Sequence, residues 1–280
     1  METIFIKSLG GTGTVTGSKH LLKTTELTIL VDCGLFQGIK SLREQNWESL
    51  NIPIAEIDLV ILTHAHLDHC GYLPLLLKNG FKGRIYMTEP TAELTKLILL
   101  DSAKLQEEDA KKANQHHYTK HHPAKPLYTQ DDTERAFEHF YIVKENTDIK
   151  LSDHIQCQFK PCGHILGACS VAITCFDKTT VFSGDIGRNR SEILPIHDFF
   201  TEADSLVMES TYGDRLHDNT DLYDSLQHWI NLMVKNHGNI IIPSFAVGRA
   251  QELIYMLFLK FLLNRSCWYM ANHVHWKHCV

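Results

Sequence analysis

The chain has 280 residues, enough for one large domain or two smaller ones. Its 44% hydrophobic and 21% charged residues are ordinary values for a globular protein. A net charge of −6 excludes a general nucleic-acid coat, which needs a basic surface, but leaves room for an enzyme with a small basic groove beside metal ions.

Met1 to Ser8 alternates Ile4 and Ile6 with polar residues. It has no cationic segment and no small-residue cleavage site, so it reads as a strand and not a signal peptide. Gly10, Gly11, Gly13 and Gly17 make a turn-rich link to a strand near Lys19 to Lys23. Leu27 to Val31 is an apolar strand ending at Asp32, and Asp58 to Leu62 is another, ending at Thr63 and His64. Tyr72 to Lys78 is a short helix stopped by Asn79 and Gly80. A strand follows at Arg84 to Met87, then a long helix opening near Pro90. That helix carries Leu94, Leu97, Ile98, Asp101 and Leu105 at helical spacing and turns highly charged from Glu107 to Lys112. Thr129 and Asp132 resemble a capping box for a further helix. Ile155 to Lys160, Ser170 to Cys175, Thr180 to Ser183, Leu206 to Met208 and Ile240 to Ile242 read as strands, the last two followed by helices.

Interleaved strands and helices of this kind predict an α/β layered fold. No apolar run reaches the roughly 18 residues a membrane helix needs; the nearest, Leu253 to Leu263, is interrupted by Lys260. The eight cysteines form no C-x-x-C pair, so a reduced cytoplasmic protein with buried thiols is expected.

Asp32, His64, Asp185 and Glu209 each lie just past an apolar strand. Side chains at the ends of neighbouring strands converge on one sheet edge, where loops build sites. The run Thr63-His64-Ala65-His66-Leu67-Asp68-His69 is the strongest signal. Imidazole nitrogen and carboxylate oxygen are ligand types that suit zinc. Alternate residues of an extended loop point the same way, so His64, His66 and Asp68 are expected to face one point. His69 falls out of step, as a second ion beside the first would require. The competing explanation is a histidine-rich polar loop produced by chance among eighteen histidines.

H-x-H-x-D-H after an apolar strand resembles the metallo-β-lactamase fold superfamily. Asp32 in Val31-Asp32-Cys33-Gly34, His164 in Gly163-His164-Ile165-Leu166-Gly167 and Asp185 in Ser183-Gly184-Asp185-Ile186-Gly187 resemble its first, third and fourth motifs. Glu209-Ser210-Thr211-Tyr212-Gly213 and the segment from Pro243 to Glu252 resemble the β-CASP branch of RNA- and DNA-processing nucleases. Gly34 to Gly38 and Asp101 to Ala110 look like its RNA-processing members. The resemblance implies an α/β fold: an incomplete metallo-β-lactamase αββα sandwich over residues 1–205, then the start of a β-CASP domain over 206–265. An atypical tail fills 266–280.

On this resemblance His64, His66 and His164 hold one zinc ion, Asp68 and His69 hold a second, and Asp185 bridges the two. A hydroxide between the metals attacks phosphorus. Asp68 helps position that nucleophile, and Asp32 orients the histidines. Glu209 matches the acidic residue that opens the β-CASP region, with a helix-capping or salt-bridged glutamate as the alternative. Ser244 and Arg249 suggest a substrate-phosphate site at a helix start, against an internal structural pair. His116, His117, His121 and His122, among Lys111, Lys112, Lys120 and Lys125, read as a solvated basic turn able to touch RNA backbone, not as a second metal site.

Members of the family continue further and carry two more histidines, a metal ligand and a proton donor, for which this chain shows no matching position. Ser266 to Val280 departs from the preceding rhythm, and a shifted reading frame or a truncated gene product is the expectation there. Three functions follow. The first is a zinc-dependent ribonuclease acting on single-stranded RNA, with homodimers possible. The second is an inert metal- or RNA-binding fragment. The third is a small-molecule ester or thioester hydrolase on the same fold, against which the segment from Glu209 onward argues.

Overall fold

The computed structural model describes residues 3–117, 121–188, 191–216 and 221–259. The tail, Lys120 and Lys260 lie outside them. The chain divides into two compact units, Met1–Asn189 with Pro195–Glu209, and Arg190–Leu194 with Ser210–Val280.

The first unit holds two sheets. The first orders its six strands β1 (Phe5–Gly10), β2 (Lys19–Lys23), β3 (Thr28–Val31), β4 (Leu59–Ile61), β5 (Arg84–Thr88) and β6 (Phe140–Val143). β1 to β3 pair antiparallel, and β3 to β6 run parallel. The second sheet orders β11 (Ser205–Val207), β10 (Lys178–Phe182), β9 (Cys169–Cys175), β8 (Ile155–Pro161) and β7 (Ile149–Lys150). The buried alternate residues of both sheets form one core between them. Leu22, Ile29, Val31 and Ile61 come from the first sheet, and Phe159, Val171, Ile173 and Phe182 from the second. The other face of the first sheet, with Leu30, Val60, Leu62 and Ile85, packs on helices through Tyr72, Leu73, Leu76 and Leu99. Each such apolar side chain removed from water contributes about 1.5–3 kcal/mol. Central strands buried on both faces need unbroken apolar runs, which is why Thr28–Val31 and Leu59–Ile61 read so clearly.

The helices of this unit are α1 (Lys40–Glu44), α2 (Leu67–Cys70), α3 (Leu73–Lys78), α4 (Glu89–His116) and α5 (Gln130–Phe137). α4 begins as its sequence predicts, with Thr88 as N-cap and Pro90 in the first turn. The capping box of α5 is present, Thr129 accepting from the Asp132 amide and Asp132 from the Thr129 amide. The N-cap of α4 also reaches the second sheet. The hydroxyls of Thr88 and Thr91 both donate to Gly167 O at 2.8 Å, fixing the β8–β9 turn that carries His164. Gly167 sits at φ +79°, and a Cβ there would lie 2.6 Å from the Thr91 amide nitrogen, so only glycine fits.

Two expectations are corrected. Ile240 to Ile242 is not a strand: it has no pairing partner among the described residues, and Ile241 is 88% exposed. An apolar run supplies propensity, but a strand exists only through its ladder. The metal-loop run is extended only to His66. Leu67–Cys70 turns into the one-turn helix α2, so Asp68 reaches its place by helical geometry and not by strand alternation. β6 and β7 escaped the sequence reading because each is short and flanked by charged residues. The second unit contains α6 (Leu222–Lys235), N-capped by Asp221, and α7 (Arg249–Leu257). No helix among the described residues is long and apolar enough to cross a membrane.

Candidate metal centre

The parallel strands β3 and β4 end at Val31 and Ile61, placing Asp32 and His64 at one sheet edge. Asp32 is 2% exposed and occupies the left-handed region at φ 60°. That conformation costs about 1 kcal/mol outside glycine, and here it aims the carboxylate back under the metal loop. Oδ1 accepts from the Thr63 amide at 2.8 Å, and the Thr63 hydroxyl lies 3.0 Å from both carboxylate oxygens. Oδ2 accepts from His69 Nδ1 at 2.7 Å.

These contacts settle the tautomer of His64 by the logic of donors and acceptors. A carboxylate only accepts, so the single Thr63 hydroxyl hydrogen goes to Asp32. Towards His64 Nδ1, 3.0 Å away, Thr63 Oγ1 can then only accept. His64 therefore carries its hydrogen on Nδ1 and turns a bare lone pair on Nε2 into the cluster. That atom is buried with no hydrogen-bond partner, its facing charge being Asp185 Oδ2 at 3.6 Å.

The donor atoms of His64, His66, His164 and Asp185 all lie within 4.8 Å of one another. His164 Nε2 is 3.0 Å from His66 Nδ1 and 3.4 Å from Asp185 Oδ2. Asp185 has a second set of neighbours. Its Oδ1 lies 3.2 Å from His69 Nε2, which is 3.8 Å from Asp68 Oδ2. Asp185 is thus shared between a three-histidine group and the Asp68–His69 pair, and all six residues singled out in the sequence meet here.

Burial and the crowding of neighbouring imidazoles hold His64 well below its ordinary pKa and push His164 down to about 4. Burial also works against a charge on His69. The carboxylates of Asp32 and Asp185 overcome it and raise this group well above the histidine range. Burial raises Asp68, whereas for Asp185 the hydrogen bond and charge of His69 outweigh burial and lower it. Three imidazoles converging with Asp185, two of them, His64 and His164, held below the usual histidine range, and a buried His64 Nε2 without a hydrogen-bond partner fit a divalent cation. Leaving such an atom unsatisfied costs about 1–3 kcal/mol.

Glu209 serves the same loop. Its Oε1 accepts from the amide of Ile186 at 3.0 Å, next to Asp185, and its own amide donates to Ser183 Oγ at 3.0 Å. In the second unit, Ser244 Oγ points to Ile242 O at 3.5 Å, and Arg249 pairs with Glu252 at 3.2 Å as the first residue of α7. The N-cap of α7 is Gly248, so Ser244 does not cap it. His116, His117, His121 and His122 are exposed, and the cluster just described is the one group able to hold an ion among the described residues. The roles of Thr63 and Ser183 were not read from the sequence. A hydroxyl residue between an apolar strand and a ligand is the signal that would have found both.

Residues 21–212 match the metallo-beta-lactamase superfamily domain. Ribonuclease TTHA0252 of Thermus thermophilus is 33% identical over 90% of this chain and 54% of its own length. Transcription termination factor FttA of Cenarchaeum symbiosum is 31% identical over 91% of this chain and 39% of its own. Cleavage and polyadenylation specificity factor 73 of Drosophila melanogaster is 30% identical over 91% of this chain and 36% of its own. The chain belongs to the metallo-β-lactamase superfamily, on the β-CASP RNA-processing branch. It spans about half the length of the first of these relatives and less of the others.

Proposed function

We propose that this chain is a metal-dependent hydrolase of the phosphodiester backbone of single-stranded RNA. The observation that carries the reading is Asp185, whose Oδ1 faces His69 at 3.2 Å and whose Oδ2 faces His164 at 3.4 Å and His64 at 3.6 Å. His64, His66 and His164 would hold one ion and Asp68 and His69 another, with Asp185 common to both. Zinc is the ion that this nitrogen and oxygen donor set suits. A divalent ion bound here supplies Lewis acidity, acidifying water and stabilising negative charge on phosphoryl oxygens.

The chain's own groups do the rest. Asp32 fixes the rings of His69 and, through Thr63, of His64. Burial raises the proton affinity of Asp68, which suits a carboxylate that takes a hydrogen bond from the attacking water. Glu209 holds the Ile186 amide and with it the approach of Asp185. In the second unit, Arg249, bonded to Glu252 at 3.2 Å, is the arginine we propose for contact with a substrate phosphate. The reading is supported by relatives that are a ribonuclease and factors acting in transcription termination, cleavage and polyadenylation by their names.

The test is cleavage of an end-labelled single-stranded RNA with added zinc or manganese, comparing this chain with Asp68→Ala. Cleavage by the parent that is lost in the variant supports the reading. No cleavage by the parent, with metal bound, overturns it and leaves a metal-binding chain without the chemistry.

A further inference from the structure

A one-turn helix does not stand by its own hydrogen bonds, because nucleation alone is unfavourable. α2 carries both Asp68 and His69, so something outside it must fix its position. Three backbone amides do so. Ser18 N donates to Asp68 O at 2.8 Å, Cys33 N to His69 O at 2.7 Å and Leu35 N to Leu67 O at 3.0 Å. The Asp68 and His69 carbonyls at the end of the helix are thereby satisfied, while Leu67 O also accepts from Gly71 N at 2.8 Å. Cys33 and Leu35 flank Gly34 directly after β3 and inherit its rigidity. Ser18 instead follows the glycine-rich link between β1 and β2, where Gly11, Gly13 and Gly17 all take positive φ. The Ser18 backbone is tied at its carbonyl, which accepts from Gly34 N at 3.0 Å, while its side chain needs a second hold.

His20 supplies that second hold, through the Ser18 hydroxyl. It pairs with Ser8 across β1–β2 and with Val31 across β2–β3, one residue before Asp32. Its Nδ1 lies 2.9 Å from Ser8 Oγ and its Nε2 3.3 Å from Ser18 Oγ. Burial lowers its pKa, so the ring is neutral at pH 7, with one donor and one acceptor nitrogen for the two hydroxyls. The same ring packs against Phe182, 6.1 Å between centroids, three residues before Asp185 on the other sheet. One side chain thus contacts Ser18, whose amide holds α2, and Phe182, on the strand that leads to Asp185.

We infer that His20 is a positioning residue for the metal centre, holding Ser18 so that its amide locks α2 and sets Asp68 and His69 against Asp185. The inference rests on the proposal that these residues hold metal ions.

The test is zinc affinity, measured by competition with a chromogenic chelator, for the full chain and for His20→Ala, Ser18→Ala, the double variant and His20→Gln. Thermal melting of the same proteins without metal serves as the structural control. The expected result is zinc binding about 10-fold weaker or more in each alanine variant, the range in which supports of metal ligands act. The double variant loses no more than the worse single one, since both act on one path, and His20→Gln, which still reaches Ser18, recovers most of the loss. Melting of the metal-free proteins shifts little. Equal zinc affinity in parent and variants overturns the inference while leaving the metal site standing. Losses that add in the double variant overturn it too, as does a loss that His20→Gln fails to restore. A parent that binds no zinc overturns the metal-site proposal and this inference together. Should His20→Ala fail to fold, Ser18→Ala, which removes a single hydroxyl, decides the matter alone.

Discussion

The Asp32 carboxylate sets the tautomer of His64 through a single hydroxyl, that of Thr63, which lies 3.0 Å from both Asp32 oxygens and 3.0 Å from His64 Nδ1. Substituting Thr63 by valine keeps the shape and removes the oxygen. His64 then has no acceptor on Nδ1, and its hydrogen is free to move to Nε2, where it blocks metal binding. The expected outcome for Thr63→Val is a 10–100-fold loss of zinc affinity, with Thr63→Ser close to the parent. Chelator competition on the three proteins checks this, and equal affinity for Val and Ser would show that the relay does not matter.

Gly34 is held to glycine by contact and not by backbone conformation. A Cβ on it would lie 1.5 Å from Asp68 O and 2.6 Å from the His69 amide nitrogen, both backbone atoms that cannot swing aside. Gly34→Ala must therefore push α2 away from β3. A destabilisation of about 3 kcal/mol is expected, at the upper end for overpacking, together with loss of metal binding. Urea unfolding with and without zinc measures both. A well-folded variant that still binds zinc would mean that α2 tolerates displacement.

The two halves of the centre were legible to different degrees. His64, His66, Asp68 and His69 crowd into one loop after an apolar strand, so chemistry and position are read together. His164 and Asp185 are single residues far along the chain, found only through their motif contexts. The supports were not legible, because Thr63, Ser18 and His20 act through contacts that exist only once β1, β2, β3 and the β10 strand have paired and stacked. The error at Ile240–Ile242 has the same root: residue type shows what a segment prefers, and the partner that completes a ladder is a matter of the whole fold.

Lys19 gives a pH-dependent prediction. It is 1% exposed, with Nζ 3.3 Å from Gly17 O, 4.3 Å from the Phe36 ring centroid and 5.1 Å from that of Tyr72. Burial pushes its pKa down to about 8, with the nearby Cys33 acting weakly in the other direction. The unfolded chain, at the ordinary lysine value of about 10.4, holds this proton more tightly than the folded one. Folding therefore becomes more favourable as pH rises from about 8 towards 10.4, and below 8 the full cost persists, about 3 kcal/mol. Lys19→Met should remove that slope and be more stable than the parent at pH 7. The difference between the two proteins in urea unfolding free energy, followed from pH 7 to 10, isolates the lysine from other titrating groups. A difference that stays constant over this range would show that Lys19 is neutral throughout or charged throughout.

Glu209 separates a holding role from a charge role. Its Oε1 receives the Ile186 amide at 3.0 Å beside Asp185, and its charge also favours protonation of His164. Glu209→Gln keeps an oxygen for the Ile186 amide and removes the charge, whereas Glu209→Ala removes both. A hydrogen bond to a charged group is worth about 1.5–3 kcal/mol. If the bond holds the Asp185 loop, zinc affinity should fall about 10-fold or more in the alanine variant and stay near that of the parent in the glutamine variant. RNA cleavage then divides the remaining possibilities. A glutamine variant that binds zinc and still cuts confines Glu209 to holding the loop. One that binds zinc normally but cuts far more slowly places the Glu209 charge in the reaction itself.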